Sequence, residues 1–262
     1  MWDSHCHLQL DPLFDQHESV LAQALESGVT GCLVPSYSPR EWPRQTVLAQ
    51  QGRVKNALGL HPWCIEDPEC DLLLGLLEEA FRTLPVRWGS SLVAVGECGL
   101  DRSSARLRST FELQLELFTL QPKWASKLNL PVIVHSVRAI GKTLEVLRVR
   151  ALPKGGVLHS YIGPPEMVPR FAELGMSFSY SGTLAISEKA RKSLRVTPPE
   201  RLLWETDGPL GKGLVPKGLS SGPQDLPKVL ELASQILGKS KEWCRSVHSE
   251  NMASLFGIQE IT

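Results

Sequence analysis

The chain reads as a parallel (β/α)8 TIM barrel on three observations. Short apolar runs alternate with longer amphipathic ones from end to end, which gives eight candidate strands separated by helices. The length of 262 residues suits such a barrel as one domain spanning residues 1–262. Histidines or carboxylates follow six of the strands: His5 and His7, His61, Glu97, His135, His159 and Asp207. Barrel closure brings strand ends around one mouth. An open doubly wound sheet would leave some of them too far apart to share a site.

The first strand opens the chain, and Asp3, His5 and His7 alternate along it. An extended backbone puts alternate side chains on one face, so two imidazoles and a carboxylate would project together. A lone His-x-His is as often two unrelated histidines; the ligand types recurring at later strand ends favour a shared site. Residues 15–26 carry Val20, Leu21, Ala24 and Leu25 on one helical face and stop at Gly28. Residues 30–34 form a strand closed by Pro35, and 39–51 a helix. The strand at 54–60 ends in Gly59-Leu60-His61-Pro62, and 71–84 is a Leu-rich helix. The strand at 91–96 precedes Glu97, and 105–128 reads as one long helix. The strand at 131–134 precedes His135, and a helix follows at 139–150. The strand at 156–158 precedes His159, and the helix at 164–174 stops at Gly175. A strand at 176–180, a polar helix at 187–195 and a strand at 201–205 lead to Asp207. The Gly- and Pro-rich loop 208–223 is the longest, and helices at 226–237 and 241–256 finish the chain.

Composition narrows the function. Lys+Arg and Asp+Glu balance at 28 each, so there is no global basic field, and a polyanion must be held by a few local contacts. The six cysteines form no C-x-x-C pair and read as small buried residues of a reducing compartment. There is no basic n-region with an apolar h-region, and no apolar run approaches the roughly 20 residues of a membrane span. A cytoplasmic monomer without a membrane or an obligate protein partner is expected.

Four histidines and two carboxylates suffice for two divalent ions. Glu97, on a central strand, can bridge ions about 3.5–4 Å apart, an arrangement that acidifies water and neutralises charge on a carbonyl or phosphoryl oxygen. Asp207 can ligate the first ion and take the proton of the attacking water, so Asp207 and Glu97 are the candidate catalytic residues. Imidazole-rich ligands suit zinc, iron or manganese better than calcium; zinc, manganese and magnesium stand as candidate ions.

Asp3-Ser4-His5-Cys6-His7-Leu8, Gly59-Leu60-His61-Pro62, Gly96-Glu97-Cys98-Gly99-Leu100-Asp101, Val134-His135-Ser136, Glu205-Thr206-Asp207 and Asn251-Met252-Ala253-Ser254-Leu255-Phe256 occur in order along nearly the whole chain. Together they resemble the TatD family of metal-dependent deoxyribonucleases in the amidohydrolase superfamily. The resemblance implies a (β/α)8 barrel, one ion on His5, His7, Glu97 and Asp207, and a second on Glu97, His135 and His159. It places His61 against the substrate phosphate and implies hydrolysis of DNA, with 3′ exonuclease trimming. Departures fall at Arg102-Ser103-Ser104, Val137, Ser160-Tyr161-Ile162 and Ser221-Gly222-Pro223. Every implied ligand is kept, so these changes bear on the substrate rather than on metal binding.

Other residues have two readings. Glu205 either orients a ligand or is an interior carboxylate paired with a base. Trp63 reads as packing, with base stacking as the alternative. Arg102 reads as a solvated loop arginine, with contact to a phosphate as the alternative, and His17 and His248 as ordinary surface or packing residues. Lys212 and Lys217 either add local positive charge or sit in a solvated loop. Two other functions use the same residues: hydrolysis of an ester, amide or lactone, and a non-catalytic metal-bound scaffold.

Overall fold

Alternation along the strands decides which side chains reach the site. The computed structural model describes residues 1–66, 73–216 and 218–259. Its eight strands stand side by side in sequence order. They are β1 (Trp2–Asp3), β2 (Gly31–Pro35), β3 (Val54–Leu58), β4 (Leu92–Asp101), β5 (Val132–Val137), β6 (Gly156–Leu158), β7 (Met176–Tyr180) and β8 (Leu202–Trp204). All neighbours from β1 to β8 pair in parallel, with helices in the crossovers, which is the (β/α)8 barrel. Ile133 on β5, Val157 on β6 and Leu203 on β8 pack with Trp2, Leu33 and Ala57 in one apolar cluster, closed off by Met252 and Phe256 of the last helix. Two residues further along the same rows come His135, His159 and Glu205. Each row thus passes from apolar to polar at one level. The alternate positions Val134, Leu158, Phe178 and Trp204 pack in the larger core.

Several expected boundaries move. β1 is only Trp2–Asp3, so His5 and His7 lie beyond the strand. β4 does not end at Gly96, nor β5 at Val134. Pairing from Cys98↔Val134 to Asp101↔Val137 carries both onward, so Glu97 and His135 lie within strands. The expected helix over 105–128 divides into Ala105–Ser109 and Phe111–Leu128, and Gln114 spans the break by donating to Leu107 O (2.6 Å). The expected start of the third helix, at residues 71 and 72, lies outside the described residues, as do Lys217 and Cys70. From Leu73 the helix runs to Trp88 through Pro85. Its buried face (Leu77, Ala80, Phe81, Leu84 and Trp88) outweighs the one backbone bond that proline removes. Cys6, Cys32, Cys98 and Cys244 are buried thiols. Among the described residues no helix is long and apolar enough to cross a membrane.

Closure between β8 and β1 is made bond by bond. Ser4 N–H donates to Trp204 O (3.2 Å), Asp207 N–H to His5 O (2.9 Å) and His7 N–H to Gly208 O (2.7 Å). Below them sits His248, which is fully buried, so the packing reading holds and the surface one does not. Its Nδ1 accepts from Trp204 N–H (3.0 Å) and its Nε2 donates to Trp2 O (2.6 Å). The neutral ring, protonated on Nε2, therefore splices the first strand to the last. His248→Ala would strand both backbone groups, and a buried unpaired polar group costs about 1–3 kcal/mol. The urea midpoint of the variant should fall well below that of the wild type at equal slope. An unchanged midpoint would show that the seam closes without the ring.

Candidate metal centre

Glu97 reaches the barrel interior through a bulge. Pairing steps from Val95↔Val132 to Cys98↔Val134, so β4 carries one residue more than β5 across Gly96-Glu97. A bulge of this kind re-aims a side chain. Gly96 has φ 146°, and a Cβ there would meet Ile133 O at 2.6 Å, so only glycine fits. Ser36, just past β2, clamps the bulge: its N–H donates to Gly96 O and its carbonyl accepts from Glu97 N–H, both at 3.1 Å.

The two oxygens of Glu97 face two separate groups. Oε2 lies 3.2 Å from His5 Nε2 and 3.3 Å from His7 Nε2, and both ring nitrogens are 3.8 Å from Asp207 Oδ1. Oε1 lies 2.9 Å from His135 Nδ1, 2.7 Å from His159 Nε2 and 3.1 Å from His61 Nε2. The other six residues that follow the strands thus gather around this one carboxylate. His61 is drawn as close to it as the expected ligands are. Asp3 is not among them: its carboxylate turns away to accept from His5 N–H (3.2 Å), Thr206 N–H (3.0 Å) and Thr206 Oγ1 (2.5 Å). It ties β1 to the loop after β8.

The cluster fits divalent cations. His5, His7 and Glu97 form one group of potential ligand atoms within 4.8 Å of one another; His61, Glu97 and His135 form a second, and His5, His159 and Glu205 a third. Glu97 Oε2 and His5 Nδ1 are buried and take part in no hydrogen bond, although two ring nitrogens crowd the carboxylate oxygen. His5 Nε2 and His7 Nε2 stand 3.2 Å apart, lone pair towards lone pair unless a proton or a cation lies between. Burial alone would raise the pKa of Glu97, but the rings of His159, His61 and His5 and the bond to His135 hold it well below the ordinary carboxylate range. Burial pushes His61 down to about 4. Burial also opposes charge on His159, yet Glu97 and Glu205 hold that ring well above its usual value. The site is built to keep a negative charge among imidazole rings.

Several further residues aim the side chains of the cluster. Asp101 Oδ2 takes His135 Nε2 at 2.9 Å, leaving Nδ1 for the cluster, and accepts from the Trp63 indole N–H at 2.7 Å. Trp63 also donates its backbone N–H to His61 Nδ1 (3.0 Å), so one residue past β3 steers two rings. Gln114 and Gln121 are seven apart on one face of Phe111–Leu128. The first accepts from Asp101 N–H (2.8 Å), and the second bonds both backbone groups of Leu60 (2.8 and 3.1 Å). Two buried amides at that spacing in an apolar stripe are the signal the sequence offered. Glu205 accepts from Ser160 N–H (2.6 Å) and lies 3.5 Å from His159 Nδ1, which supports the orienting reading.

A cavity of about 160 Å³ opens over the cluster, walled by His7, His61, Trp63, His135, Asp207 and Lys212 among others. His5 and Glu97 have no exposed surface, whereas the Asp207 side chain is 17% exposed, so Asp207 meets both the cluster and solvent. Asp101→Asn should keep the fold but loosen His135. Loss of such an outer partner costs about 10–100-fold in metal affinity. Chelator competition with zinc on the apoprotein should show that fall, and an unchanged affinity would remove Asp101 from the site.

Comparison with known proteins agrees with this geometry. Residues 2–257 match the family model described as TatD related DNase. An uncharacterized metal-dependent hydrolase of Escherichia coli K12, YjjV, is 34% identical over 259 residues, covering 98% of this chain and 97% of its own. The 3′-5′ ssDNA/RNA exonuclease TatD of the same strain is 30% identical over 268 residues, covering 98% and 99%. The crystal structure of the E. coli YjjV superposes with a TM-score of 0.90 over 98% of both chains. The barrel, the two-sided carboxylate and a match over almost the whole sequence together place this chain in the TatD-related DNase family.

Proposed function

We propose that the chain hydrolyses phosphodiester bonds at the 3′ end of single-stranded DNA, using two divalent ions. The observation that carries this is Glu97, whose two oxygens each face a separate set of ring nitrogens. His5, His7, Glu97 and Asp207 would hold one ion, and Glu97, His135 and His159 the other. Bound there, the ions supply Lewis acidity, which acidifies water and offsets phosphoryl charge. The kinship with an exonuclease of single-stranded DNA and RNA supports the substrate class.

The residues divide the remaining work. Asp207, 17% exposed at the cavity, takes a proton from the attacking water as the water oxygen bonds to phosphorus; the bond to the rest of the strand breaks, and the leaving oxygen takes up a proton from solvent. His61 lies in the cavity wall, with Tyr37 stacked against its ring at 5.2 Å, and faces the phosphate. A cavity of about 160 Å³ suits an unstacked strand end better than a paired duplex. We assign the activity to a monomer in the cytoplasm.

Asp207 has φ 56°, a left-handed conformation that asparagine tolerates better than most residues. Asp207→Asn therefore keeps the backbone and one oxygen while losing charge and basicity. A positioned base contributes about 10²–10⁴-fold, and kcat should fall by that order. Single-turnover cleavage of a 5′-labelled oligonucleotide at saturating manganese, with metal content measured alongside, tests it. A near wild-type rate with both ions bound would take the base role from Asp207. A wild type that cleaves p-nitrophenyl esters but no oligonucleotide would move the substrate to the carboxylic ester class.

A further inference from the structure

The balanced net charge hides a local imbalance beside the cavity. Arg102 follows the last residue of β4 and Arg138 the last of β5, where Asp101 pairs with Val137. Arg102 N–H donates to Val137 O (3.0 Å), and Val137 lines the cavity. Arg138 Nη1 reaches Ser103 O at 3.5 Å, and Arg108 Nη1 donates to Arg102 O at 3.3 Å. The Arg102 guanidinium lies over the Phe111 ring, 4.9 Å from its centroid. The three side chains are exposed. Among the described residues the Arg and Lys ion pairs all lie elsewhere, so carbonyl oxygens and a ring hold these guanidinium groups without neutralising them.

We infer that Arg102, Arg108 and Arg138 form a phosphate-binding ridge, which grips the sugar–phosphate backbone of the strand as it leaves the cavity. A guanidinium offers a planar fork of donors that matches phosphate oxygens, and unneutralised guanidinium groups side by side repel one another until a polyanion lies across them. The loops after β4 and β5 adjoin each other, so the ridge starts at the cavity wall and runs outward over the helix Ala105–Ser109. Lys212 stands on the loop after Asp207, also at the cavity, and gives the reacting end its own cation. The ridge supplies the affinity that a net charge of zero withholds, and it acts on phosphates without reading bases.

The inference rests on the nucleic-acid reading above, and the experiment separates the two. Binding of a 5′-labelled single-stranded 12-mer to the full chain, kept metal-free in EDTA, is followed by fluorescence anisotropy between low and moderate salt. Each phosphate held contributes about −0.7 to the slope of log affinity against log salt. Arg102→Ala/Arg108→Ala/Arg138→Ala should make the slope shallower by about 2 and weaken binding at least about tenfold at low salt. In the metal-loaded enzyme the triple variant should show a raised KM for the oligonucleotide with kcat little changed. Lys192→Ala/Arg195→Ala, on the exposed face of the helix Glu188–Val196 and outside the cavity lining, should leave the slope as in the wild type. A wild type that binds and cleaves the strand with the same slope as the triple variant overturns the ridge alone. A wild type that neither binds nor cleaves it, yet hydrolyses bis-p-nitrophenyl phosphate, overturns the nucleic-acid reading and the ridge with it.

Discussion

A carboxylate with no exposed surface stands at the centre of this barrel, and much of the local structure serves to keep it charged. Taking an ionised group out of water is costly unless it is paired. Glu97 is paired on both sides, with His5 and His7 at one oxygen and His61, His135 and His159 at the other. The rings come from four separate segments between residues 5 and 159, so the charge can be compensated only after β1, β3, β5 and β6 have closed around β4. Assembly of the site and closure of the barrel are in this sense one event.

That dependence explains where polar groups are tolerated in the core. Gln114 and Gln121 are buried in a helix that otherwise packs apolar side chains, and each spends its amide on backbone at a strand end that carries a ligand or its partner. Asp101 and Trp63 then pass this rigidity to His135 and His61. A ring fixed at one nitrogen presents the other in one direction, which is the condition for tight ion binding. Asp3 and His248 do the same for the seam between the first and last strands: one ties down the loop bearing Asp207, and the other bridges Trp2 to Trp204. Every buried polar side chain in this set is accounted for by a neighbour that must not move.

The barrel and the side chains that cluster at its mouth were legible in the sequence because they obey local rules. Apolar runs of strand length, glycine stops and polar residues just past the runs are short-range signals, and His5, His7, His61, Glu97, His135, His159 and Asp207 all announce themselves that way. What stayed hidden depends on pairing between distant segments. Gly96 read as a strand end, whereas its φ of 146° marks a bulge clamped by Ser36. Asp101 sat in a recognisable motif, but its role appears only once His135 comes within 2.9 Å. His248 looked ordinary because nothing nearby in the sequence reveals that it lies between the first strand and the last.

The division between buried and open groups carries the chemistry. His5 and Glu97 are sealed, so their geometry is set before any substrate arrives, and little reorganisation is left to the reaction. Asp207 alone among the carboxylates of the cluster keeps solvent contact, and a left-handed backbone presents its side chain at the cavity. In the roles proposed above, a base that must exchange its proton with water in each turnover cannot be sealed in, whereas a bridging carboxylate must be, because water would screen the field that holds its partners. Outside this pair the demand reverses again. Three arginines left unneutralised on two adjoining loops and the short helix beside them are stable only because they are exposed, and in the proposed ridge their repulsion is relieved by the polyanion that crosses them. Depth below the surface therefore sets the function of each charge: fixed at the bottom, exchangeable at the mouth, and awaiting a partner on the rim.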